Sequence, residues 1–195
     1  MVLVYIDQAD QQIKKSSLEA MSYGAAIAKQ LGCEVAALVL GTVQDNLADL
    51  GKQGAQKVFH LKNESLNTLD VKLHSNLIAT AAKNANATVV VFAHNINGKA
   101  IAPAVSVKLE AGLVTGASSL PDTENGFVVT KTVFSGKAFA SIQIETPIKV
   151  IAINQNSFGV VAYDTSATVE ELNIPIPTAS IKITKLETVE GEIPL

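Results

Sequence analysis

The sequence predicts an α/β fold: a mostly parallel open sheet with flanking helices and an appended β-hairpin. Three observations carry this reading. Residues 1–6, 35–40 and 88–93 are nearly unbroken apolar runs, the pattern of strands covered on both faces. Between them, Leu18, Met21, Ala25, Ala28 and Leu31, and then Leu73, Leu77, Ile78 and Ala81, recur at three or four residues, the stripe of an amphipathic helix. Beyond Gly112 the pattern changes. Ala138, Ala140, Ile142 and Ile144 alternate with Phe139, Ser141, Gln143 and Glu145, as in a hairpin strand.

In chain order, the first strand at 1–6 is followed by Asp7, and Ser16 or Ser17 is placed to cap the first helix. Gly32 is expected to end that helix in the left-handed conformation. Cys33 opens the second strand at 35–40, where a small, inert apolar residue fits. A weak helix at 46–50 precedes a short strand at 58–61. The Leu73 helix and the strand at 88–93 complete an alternation that calls for right-handed crossovers and a parallel sheet. Residues 127–134 and 138–145, joined by Ser135, Gly136 and Lys137, read as the hairpin. Pro147 leads into an apolar strand at 148–153. Residues 155–177 are more polar and contain proline, which reads as an extended strap. Ile181 and Ile183 then alternate with Lys182 and Thr184 as in one more strand. The expected organisation is therefore an α/β domain over 1–154 and a strap with a terminal strand over 155–195.

Charge narrows the function. The chain carries a net charge of -3, and all 15 of its cationic side chains are lysines, scattered along it. That argues against a nucleic-acid-binding face, which needs clustered cations, and removes the rigid fork with which arginine grips phosphate. No apolar run approaches the roughly 20 residues of a membrane span, so no membrane insertion is expected. One cysteine excludes an internal disulfide, and His60, His74 and His94 lack metal-ligand spacing.

The most informative segment is 95–116, N-I-N-G-K-A-I-A-P-A-V-S-V-K-L-E-A-G-L-V-T-G. It leaves a buried strand through a polar turn, and Pro103 is expected in the first turn of the next helix. Gly98 and Lys99 are the candidate anion-binding residues, because free N–H groups at a helix start attract negative charge. The geometry alone favours a plain strand-to-helix turn. Asp7, at the end of the first strand, is expected to serve a turn or cap rather than a ligand.

Gly98, Lys99, Ala102, Pro103, Leu109, Gly112, Leu113, Val114 and Thr115 resemble the alpha subunit of electron transfer flavoproteins, where the stretch commonly reads Gly-Arg, Ala-Pro, then Leu-x-Ala-Gly-Leu-Val-Thr-Asp. Phe134, Ser135, Gly136, Lys137 and Ala138 resemble that family's hairpin, and Ile148, Lys149 and Val150 its next strand. Lys99 stands where the family usually has arginine and Gly116 where it often has aspartate.

The resemblance implies an adenine-nucleotide alpha-hydrolase-like domain that pairs with a beta subunit. It implies flavin adenine dinucleotide in the complete protein, held mainly by a C-terminal flavin domain that opens with a Gly-Gly-Arg-Gly-like turn. This sequence ends at Gly191, Glu192, Ile193, Pro194 and Leu195, about where the approach to that turn is expected. No flavin-contacting residue is therefore assigned, and the chain alone is not expected to hold the cofactor tightly. The implied role is electron carriage between flavin dehydrogenases and a quinone oxidoreductase, as in fatty acid beta-oxidation, without substrate turnover. The implied compartment is the bacterial cytoplasm or the mitochondrial matrix. The runner-up is a free-standing adenine-nucleotide binder resembling universal stress proteins, which lacks here a glycine-spaced phosphate loop after residue 98.

Overall fold

The computed structural model describes residues 1–181 and 183–185. Its nine-stranded sheet has the order β11-β5-β4-β1-β6-β10-β7-β8-β9. The strands are β1 (Val2–Ile6), β4 (Val35–Leu40), β5 (Lys57–Leu61), β6 (Val89–Ala93), β7 (Gly112–Ala117), β8 (Val128–Val133), β9 (Ala138–Gln143), β10 (Lys149–Ile153) and β11 (Thr168–Glu171). Gln8–Ala9 and Gln12–Ile13 form a separate two-stranded ladder, β2 and β3. From β11 to β7 every pairing is parallel, and β8 and β9 add an antiparallel edge. The predicted α/β class and appended hairpin are thus present.

The apolar runs become central strands because both faces of the sheet are covered. Val2, Val4 and Ile6 of β1 point into a core with Met21, Tyr23 and Ile27 of α1 (Lys15–Leu31). Leu3 and Tyr5 point into a second core with Leu77 and Ile78 of α2 (Val71–Asn84) and Ile101 and Val105 of α3 (Ile96–Lys108). The β1, β4 and β6 strands are buried at every position.

Several local expectations shift. Neither serine caps α1; its N-cap is Lys14, which makes no side-chain cap bond, and Ser17 is spent on the end of β1. Gly32 does end α1 in the left-handed region, at φ 61°. Cys33 is half-buried ahead of the strand rather than within it. The weak helix is a 3₁₀ segment over Leu47–Gln53, capped by Asn46. Pro103 lies inside α3, which starts at Ile96. Gly112–Ala117, assigned no strand from sequence, forms β7, and β10 inserts between β6 and β7.

Residues 155–180 run as a belt around the domain. The amides of Asn156, Phe158 and Gly159 donate to Glu19 of α1, and Tyr163 and Ala167 bond the 3₁₀ segment at the carbonyls of Lys52 and Ala48. The belt then pairs as β11 with β5. Leu172, Ile174 and Ile176 cross to the second core, and the Ser180 amide donates to Asp70 Oδ2, 2.7 Å away. The expected strap is therefore integral to the sheet. Of the expected terminal strand, residues 181 and 183–185 are not in a strand, and the remainder lies outside the described residues.

Candidate functional site

The chain reverses direction across the sheet between β1 and β6, so their carboxyl ends form the switch point where open α/β sheets commonly bind ligands. Asp7 follows β1 and is 4% exposed. Its Oδ2 accepts from Lys14 Nζ at 2.7 Å and Asn95 Nδ2 at 2.9 Å, and its Oδ1 from Asn97 Nδ2 at 2.9 Å. The Ser17 hydroxyl accepts from the Asp7 amide and donates to the Asp7 carbonyl. Such a buried carboxylate is tolerated because a cation and two amides satisfy it. It ties the start of α1 to the start of α3.

That network takes up much of what the helix start offers. The Gly98 amide donates to Asn95 Oδ1 at 2.8 Å, and the Lys99 amide to the Asn95 carbonyl. Glycine is needed at 98 for contact: a Cβ there would collide with the Ala93 carbonyl oxygen at the end of β6. Lys99 is exposed and lines an open groove of about 720 Å³ with His94, Ser118, Thr132 and Asn154. His94 Nδ1 and Asn154 Oδ1 lie 2.9 Å apart, within hydrogen-bond distance. Gly116 sits beside this pair, with the ideal Cβ position 3.4 Å from Asn154 Oδ1.

A neighbouring groove of about 390 Å³ is lined by Lys15, Ser16, Glu19 and Asn156. Burial works to raise the Glu19 carboxyl, but the amides of Phe158, Gly159, Asn156 and Ser157 outweigh it and hold it below the ordinary value. Asp70, bonded by the amides of Leu73 and Ser180, is also held low, whereas burial depresses His74. Both carboxylates serve the belt. Sequence reading missed Glu19 because nothing local distinguishes a buried acceptor between Leu18 and Ala20 from a solvated helix face. Among the described residues no group of three or more His, Cys, Asp or Glu side chains could hold a metal.

A dinucleotide pyrophosphate needs several converging donors. Here the first turn of α3 faces the Asp7 carboxylate, the Gly98 amide is taken and Lys99 is the groove's cation. These residues do not fit that group. Residues 2–177 match the family model described as "Electron transfer flavoprotein domain". The chain belongs to that family. It is 26% identical over 192 residues to the electron transfer flavoprotein subunit alpha of Bacillus subtilis (strain 168), covering 98% of this chain and 57% of that protein. It is 29% identical over 142 residues to the subunit of the same name from Syntrophomonas wolfei, covering 72% and 44%. It is 26% identical over 147 residues to the lactate dehydrogenase (NAD(+),ferredoxin) subunit LctC of Acetobacterium woodii, covering 74% and 35%. The chain thus spans about half the length of these two subunit alpha relatives. No helix among the described residues is long and apolar enough to cross a membrane.

Proposed function

We propose that this chain is the N-terminal domain of an electron transfer flavoprotein alpha subunit, a platform that pairs with a beta subunit and carries a flavin domain. The observation supporting it most is the family match across residues 2–177, with the Bacillus subtilis alpha subunit aligned over 98% of the chain. In this reading residues 1–154 form the body of the α/β domain, and 155–195, after the belt that adds β11 to its sheet, lead toward the flavin domain in the part of the relatives that this chain does not span. The flavin adenine dinucleotide of the complete protein supplies the redox chemistry. This domain turns over no substrate. Electrons reach the complete protein from flavin dehydrogenases and leave to a quinone oxidoreductase, in the bacterial cytoplasm or the mitochondrial matrix. Lys99, beside Gly98, serves at most as a weak anion contact in the groove.

The geometry of the α3 turn sets the experimental expectation. The 195-residue chain, purified alone, is expected to be colourless, with no saturable heat on titration with flavin adenine dinucleotide at micromolar concentrations. Stoichiometric yellow cofactor surviving gel filtration would move the flavin site into this domain and sink the platform reading.

A further inference from the structure

The carboxyl ends of β1 and β6 are where an open α/β sheet commonly takes a phosphate-bearing ligand, on donors gathered at a helix start. Here the gathered donors already hold an anion. Lys14 Nζ at 2.7 Å, Asn95 Nδ2 at 2.9 Å and Asn97 Nδ2 at 2.9 Å converge on the Asp7 carboxylate from the starts of α1 and α3. Asp7 directly follows β1 and is 4% exposed, so its carboxylate fills the space between the strand end and both helices. Among the described residues, Lys14 Nζ and Asn97 Nδ2 bond this carboxylate and nothing else. A tie between one strand and one helix needs a single bond, whereas a cation and two amides from two helices make up the donor set that an oxyanion requires.

The loop that leads to α1 holds this arrangement in place. Between Asp7 and Lys14 the chain forms the β2–β3 ladder, and the Lys14 amide donates to the Asp7 carbonyl, which keeps the ammonium over the carboxylate. The ladder is pinned in turn by the Ile13 amide on Asp45 Oδ2 and the Gln44 amide on the Gln11 carbonyl. A second set of donors beyond the strand ends is filled in the same way. In the loop after β10, with Asn156 at φ 60° and Gly159 at φ 86°, the amides of Asn156, Phe158 and Gly159 close as a concave nest on the Glu19 carboxylate. Both anions belong to the chain itself.

We infer that Asp7 is a built-in anion that closes the switch point to phosphate-bearing ligands, and that the cradle of Lys14, Asn95 and Asn97 accepts a small external oxyanion once this carboxylate is removed. Asp7→Gly takes away the carboxylate with its Cβ and leaves room for a tetrahedral ion. The 195-residue chain would be titrated with inorganic phosphate at constant ionic strength, with chloride as the control, and followed by phosphorus NMR and thermal melting. The wild type should give no saturable response. Asp7→Gly should bind phosphate with a dissociation constant on the order of 1–10 mM, and so melt about 2–9 °C higher at about 50 mM phosphate. If Asp7→Gly is unfolded in chloride, phosphate should restore its circular dichroism. The double variant Asp7→Gly/Lys14→Met, which lacks the cation, should bind about tenfold more weakly or not at all. A wild type that binds phosphate as tightly as Asp7→Gly would show that Asp7 closes nothing. An Asp7→Gly chain that neither binds phosphate nor is restored by it would show that the donors are no oxyanion cradle, and equal binding with and without Lys14 would put the phosphate elsewhere. Each of these three results overturns the inference.

Discussion

Gly98→Ala is expected to cost about 3–5 kcal/mol, the range of the most damaging single substitutions, and so to lower the melting temperature by roughly 6–20 °C. The methyl group would collide with the Ala93 carbonyl oxygen and approach Asn95 Oδ1 at 3.4 Å. The first obstacle is backbone at the end of a central strand, so no rotamer change relieves it. Moving α3 outward instead breaks the Asn95 cap and the bonds of Asn95 and Asn97 to Asp7. Gly136→Ala is the matched control. It has φ 83° but nothing within 4 Å of its Cβ position, and should cost about 1 kcal/mol from backbone conformation alone. Thermal melts of both variants check this, and a Gly98→Ala protein melting within a few degrees of wild type would contradict it.

Glu19→Ala is expected to cost about 2–4 kcal/mol, because three amides now bonded to one buried carboxylate would lose their acceptor. The loss should begin in the belt. Hydrogen-exchange protection at Asn156, Phe158 and Gly159 should fall first, ahead of the β-sheet amides. Acid should act in the same place. The folded Glu19 carboxyl lies below its ordinary value of 4.5, so the unfolded chain binds more protons as pH falls below that value. The contribution is complete above about pH 4.5 and is lost as pH falls through the folded value. Asp70 adds loss of the same sign below its ordinary value of 3.8, and His74, which burial holds below its ordinary value of 6.5, adds some as pH falls below that value. Urea midpoints between pH 7 and pH 3 should therefore fall less steeply for Glu19→Ala than for wild type. Equal slopes would remove Glu19 from the account.

The central sheet was legible because covered parallel strands have only one requirement, continuous apolar character, and β1, β4 and β6 meet it. Strand β7 was not, since Gly112, Thr115 and Gly116 interrupt the apolar run. β11 was hidden for a related reason. Thr168–Glu171 is exposed at every position and is held as a strand by backbone pairing to β5, which leaves no hydrophobic pattern to read. At the switch point, the sequence located Asp7, Gly98 and Lys99 but not their relations. That Asn95 caps the Gly98 amide while also bonding Asp7, 88 positions away, is a property of the folded edge. Pro103 was expected in the first turn but lies about two turns into α3, because Asn95 starts the helix sooner than proline preference implies.

The pairing claim is tested most directly by mixing the purified chain with the beta subunit at micromolar concentration and measuring the mass of the product by sedimentation equilibrium. The account predicts a single 1:1 heterodimer that persists on dilution to about 1 μM. Two species sedimenting independently at their monomer masses would contradict it.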